Sequence, residues 1–120
     1  MTTPPQDARD FAESVLRTAF VAGDGAQLAR MTALPPPLNT PERARKVIGQ
    51  FHSLFGEARS FQLMTSNQSF KYDYFTLTAS KIARFKFQAQ CTKQPAIIAV
   101  EIINNGRGWA FDSLTFAFKD

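Results

Sequence analysis

The chain predicts an α+β fold: three N-terminal helices packed on one face of a curved, mostly antiparallel sheet of about four to five strands. Two observations predict it. Apolar residues recur at helical spacing as far as Phe55, and from Arg59 onward they alternate with a period of about two. Helices come first and strands follow in an unbroken run, unlike the alternating order of a parallel α/β sheet. The 120 residues suit one domain, and the 44% hydrophobic content, with twelve Phe, can build a core.

Residues 1–6 read as a flexible leader and residues 7–120 as a single domain. Asp7 is placed to cap the first helix. Ala8, Phe11, Ala12, Val15, Leu16, Ala19 and Phe20 then fall on one helical face, and Gly23 ends it. Asp24 opens a short second helix with Leu28 and Met31 facing in. The run LPPPLN stops it, since consecutive prolines lack amide donors. Thr40 caps a third helix with Pro41 at its first position. Ala44, Val47, Ile48, Phe51, Leu54 and Phe55 form its stripe, Glu42 and Lys46 a surface pair, and Gly56 its end. Gly49, mid-helix, predicts a closely packed neighbour.

The strand segments are SFQLMTS, FKYDYFTLT, IARFKFQAQC, AIIAVEIIN and WAFDSLTFAF. Setting Cys91 opposite Ala96 pairs Phe87 with Val100, Phe85 with Ile102 and Lys86 with Glu101, every pair matched in character. The last hairpin has two registers. A regular strand puts Asp112 inside and Trp109 and Phe111 outside. A bulge at Asp112–Ser113 pairs Ile102 with Trp109 and Val100 with Phe111, and returns Leu114, Phe116 and Phe118 to the core. Burying an unpaired carboxylate costs several kcal/mol, and exposing the two aromatics forfeits roughly 1.5–3 kcal/mol each. Both costs favour the bulge, with Asp112 at the surface or rim.

The net charge of +4 is spread from Arg9 to Lys119 with acids interleaved, which argues against a nucleic-acid binder. Cys91 is the single cysteine and reads as an apolar thiol. No stretch reaches the roughly 18 apolar residues of a membrane helix. The start MTTPPQDA carries no secretory pattern, so a soluble cytoplasmic protein is expected; a periplasmic or exported chain stripped of its signal would read the same.

The segment AFVAGDGAQLARM, an aromatic–Gly–Asp exit from helix one into helix two, and the closing GRGWAFDSLTF resemble the nuclear transport factor 2-like (cystatin-like) cone folds over about residues 7–118. The resemblance implies a conical pocket between helices and sheet, and pairing of copies across the outer sheet face. Some members are isomerases or dehydratases, and many are binding or assembly domains. No Asp/His pattern here matches such catalytic members.

The resulting expectation is a non-catalytic binding or assembly domain, with a small-molecule isomerase, dehydratase or hydrolase as the alternative. Phe51, Phe55, Tyr72, Tyr74, Phe85 and Phe87 are expected to line an apolar pocket for a small apolar ligand. Asp112, His52 and Asp73 are the candidate acid–base groups. His52 is the single imidazole and has no paired carboxylates beside it, so neither a metal site nor a cofactor is expected. NNGRG precedes a strand and lacks a Gly–Lys–Ser/Thr ending, so it is a turn. Ile97, Ala99, Glu101 and Ile103 share the outer face, and its half-apolar character points to a homodimer or protein-partner surface.

Overall fold

The computed structural model describes residues 4–119, so the first half of the expected leader lies outside the described residues. Helix α1 spans Gln6–Phe20. Asp7 does not cap it. Pro5 precedes the first turn, and the Asp7 carboxylate instead accepts a hydrogen bond from Trp109 Nε1 at 3.1 Å, tying the start of α1 to the start of the last strand. Helix α2 (Gly25–Met31) is capped by Asp24, which accepts from the Gln27 amide, and helix α3 (Pro41–Phe55) by Thr40, which accepts from the Arg43 amide. Two expectations fail on α3. Gly49 is open to solvent with nothing near the position of a Cβ, and Glu42 reaches Arg45 at 3.9 Å rather than Lys46.

Four antiparallel strands follow in the order β1 (Ala58–Asp73), β2 (Thr78–Cys91), β3 (Ala96–Asn104) and β4 (Trp109–Phe118). The first two predicted segments are one long strand, broken in register between Ala58 and Ser60 and between Leu63 and Thr65. FKYDYFTLT straddles the turn that ends it. Asp73 makes that turn by accepting from the Phe75 and Thr76 amides, and Leu77 takes a left-handed backbone at φ 54°. None of the residues between Asp73 and Thr78 is Gly, Pro or Asn, so Asp73 is the turn's one sequence signal.

The faces of the β2–β3 hairpin are as expected, but its register is displaced by two residues. Ala89 lies opposite Ala96, Phe87 opposite Ile98, and Phe85 opposite Val100. Glu101 is therefore ion-paired to Arg84 and not Lys86. A two-residue slip preserves every inside–outside assignment, so alternation alone cannot detect it. What fixes the register is the longer loop left beyond the Ala89–Ala96 pair, Gln90–Pro95, which folds across the end of α3. The Thr92 and Lys93 amides donate to the Glu57 and Phe55 carbonyls, while Lys93 Nζ and Gln94 Nε2 donate to the Ser53 and Leu54 carbonyls. Terminal helix carbonyls thereby gain donors, and a cation meets the negative helix end.

β4 carries the predicted bulge. Ile102 faces Phe111, Glu101 faces Ser113, and Asp112 is the extra residue between them. Phe111 and Leu114 consequently both turn toward the helices. Relative to the expected pairing, this register too is displaced by two residues, which leaves Trp109 opposite Asn104.

Helices and sheet meet in a closed aromatic core. Phe20 stacks on Phe51 at 4.1 Å between centroids, Phe51 on Phe55 at 4.9 Å, and Phe116 stands edge-on to Phe51 at 5.4 Å and to Phe55 at 5.9 Å. Leu16, Val15, Phe85, Phe87, Ile98 and Ile102 complete it, all essentially fully buried. No described helix is long and apolar enough to cross a membrane.

Gly56 tests the packed helix end. It sits at φ 82°, ψ −151°, and a Cβ there would strike Thr92 Oγ1 and the Lys93 backbone. Gly56→Ala is expected to lower stability by about 2–3 kcal/mol, read from denaturant unfolding. An unchanged midpoint would contradict the cap.

Candidate functional site

The expected pocket residues do not form a pocket. Phe51, Phe55, Phe85 and Phe87 are at most 2% exposed, and their rings fill the space between helices and sheet. Tyr72 and Tyr74 lie far from them, at the end of the β1–β2 hairpin, exposed and packed edge-on to each other at 5.0 Å. Aromatics on a strand ordinarily face the layer that covers it, which is why Tyr72 and Tyr74 are expected to line the pocket; here the strand outruns the helices.

An apolar pocket does exist, at the other side of the fold. A cavity of about 250 Å³ opens between α2, the proline-rich connection, α3 and β4. Leu28, Leu34, Leu38, Val47, Phe111 and Leu114 wall it, with Thr32 and Arg43 as its polar groups. The bulge shapes it. Freed from the β3–β4 ladder, the Phe111 carbonyl accepts from the Ala33 amide at 2.7 Å and from Thr32 Oγ1 at 3.0 Å. The proline segment is thereby pinned to the edge of β4, where it roofs the cavity. Among the described residues Arg43 has no carboxylate within salt-bridge distance. The sequence signal for this pocket was present in LPPPLN. The segment is not the extended run that its prolines suggest: Pro35–Leu38 make a turn with a cis Pro36–Pro37 bond, closed by the Leu38 amide donating to the Pro35 carbonyl at 2.9 Å, and Leu34 and Leu38 line the cavity from its two ends.

The acid–base candidates are scattered. His52 is exposed on α3, and its backbone carbonyl accepts the Gly56 amide. Asp73 serves its own turn, and the Phe75 and Thr76 amides hold its carboxyl below the ordinary carboxylate range. Asp112 lies on the outer sheet face, away from both. It stands beside Glu101 in a polar row crossing all four strands: Asn67, Arg84, Glu101 and Ser113 with Asp112. Asn67 Oδ1 and Asp112 Oδ1 are both sequestered there without a hydrogen-bond donor. Partial burial first, then the Glu101 carboxylate, push the Asp112 carboxyl up to about 6. Burial also raises the Cys91 thiol. Ile97, Ala99, Glu101 and Ile103 occupy this outer face, each half-buried.

No family model, curated protein or solved structure matches the chain.

Asp112 supplies a pH test. Its carboxyl is raised on folding from 3.8 to about 6, so the folded state holds the proton more tightly than the unfolded state. This contribution favours the fold at pH below 3.8 and is lost as pH rises through about 6. The side chain is only partly buried, so solvent screening reduces the effect to about 1 kcal/mol. Asp112→Asn is expected to raise stability by that amount at neutral pH and to leave it unchanged in acid. Unfolding curves at the two pH values check both signs.

Proposed function

We propose that this chain is a non-catalytic binding and assembly domain. Its ligand site is the apolar cavity of α2, α3 and β4, and its assembly surface is the outer face of the sheet. The observation that carries the reading is the composition of the cavity wall: aliphatic and aromatic side chains from four elements, with a single cation, Arg43, and no carboxylate or imidazole. Such a wall desolvates and orients a small apolar molecule and offers no proton donor or acceptor pair for acid–base chemistry. The order of elements and the antiparallel meander also support distant kinship with the nuclear transport factor 2-like folds.

The outer face supports assembly through its pattern of charge. Cations stand on β2 (Arg84, Lys86) and acids on β3 and β4 (Glu101, Asp112). A twofold axis parallel to the strands lays β2 of one copy over β3 of the other, so each half-row meets its opposite. Ile97, Ala99 and Ile103 supply the apolar contact around it.

Two measurements test these assignments separately. Val47→Trp should fill the cavity and abolish the shifts that small apolar probes cause at Leu28 and Leu114 in NMR spectra, with the fold retained. Probes that shift neither residue in the unaltered protein would remove the ligand site. Ile97→Asp with Ile103→Asp should reduce the mass in solution from dimer to monomer; an unaltered protein that is monomeric at high concentration would remove the assembly surface.

A further inference from the structure

Beyond the last β2–β3 pair, Lys81 with Asn104, the β1–β2 hairpin runs on alone. Lys71–Ser80 form a two-stranded arm that has no β3 beside it. Along the arm and at its base, Phe70, Tyr72, Tyr74, Phe75 and Leu77 are open to water, Tyr74 at 80% and Phe75 completely. They are half of the large apolar side chains exposed among the described residues, so the arm is where this chain concentrates unburied apolar surface.

Three features indicate what covers it. First, the apolar groups gather at the tip of the arm and on its helix side: Phe70 and Tyr72 lie on the helix side of the strands, Tyr74 packs on Tyr72, and Phe75 and Leu77 belong to the turn. An apolar tip on a slender arm can enter a bilayer boundary end-on. Second, cations ring the base. Lys71 projects from the outer side, Lys81 from the helix side, and Arg107 belongs to the β3–β4 loop, which adjoins Phe70 and Lys81. The arm's one acid, Asp73, is occupied by the turn amides. From Lys71 to the end of the strand at Asp73 the chain rises ~7 Å, with the turn Tyr74–Leu77 beyond it, and interfacial segments enter a bilayer by about 5–10 Å. A seated apex therefore leaves the cations among the headgroups. Third, Leu77 holds a left-handed backbone that Gly or Asn would adopt with less strain, while its side chain is 74% exposed. The fold gains nothing from leucine at that position.

We propose that this arm is a membrane-surface anchor. Its aromatic apex enters the headgroup–acyl boundary of an anionic bilayer, and Lys71, Lys81 and Arg107 meet the lipid phosphates.

The test is co-sedimentation of the whole chain with vesicles of phosphatidylcholine alone, and of phosphatidylcholine mixed with phosphatidylserine. Binding to the mixed vesicles is expected, weakened by salt. Phe75→Ala should reduce it by about tenfold, and each of Lys71→Glu and Lys81→Glu by about fivefold or more. Leu77→Asn separates anchoring from folding: thermal stability should hold or rise while vesicle binding falls. Failure to bind either vesicle overturns the proposal, as does equal binding to both or binding unaffected by Phe75→Ala. A drop in solution mass on Phe75→Ala, without vesicle binding, would assign the arm to a second copy and overturn it equally.

Discussion

One extra residue in the last strand sets the parity on which the rest of this structure depends. Side chains on a strand alternate, so Phe111 and Leu114 cannot share a face of a regular β4. The bulge at Asp112 reverses the alternation between them. Phe111 then reaches the layer beneath α2, and Phe116 reaches the ring cluster of Phe20, Phe51 and Phe55. The same reversal releases the Phe111 carbonyl to Thr32 and Ala33 and places Asp112 beside Glu101 on the opposite face. Core, cavity and outer polar row are three outcomes of one local irregularity.

The helices cover the sheet unevenly. α1 packs on β2, β3 and β4, and α2 on β4, while β1 leans chiefly on β2. The molecule is accordingly long, at 46 × 31 × 22 Å. Its β4 side is closed by the proline segment around an apolar cavity, and its β1–β2 end extends past the helices. The Trp109–Asp7 hydrogen bond and the Thr92–Gln94 clasp on α3 hold the layers together from opposite ends of the strands.

Much of this was legible in the chain. Three helices with two side-chain caps, the meander and the bulge follow from period, cap residues and the cost of exposing aromatics. Register was not legible, because a shift of two preserves alternation; only the loop's grip on α3 selects it. The pocket was misplaced for a related reason. Phe85 and Phe87 read equally as lining or as filling, and volume decides between the two only when every ring is in place. The Asp73–Thr78 turn was hidden because Asp73 builds it from its own carboxylate, with no glycine to mark it.

The two breaks in β1 register have a consequence for how the chain behaves in a crowd. β1 is a border strand of sixteen residues, long enough to template the addition of a foreign strand and start a fibril. At Ala58–Ser60 and Leu63–Thr65 the row of amides and carbonyls loses its even spacing. An incoming chain that docks in step with one stretch falls out of step at the next. A border of this length with even spacing would be a seed for aggregation, and the two kinks deny that template.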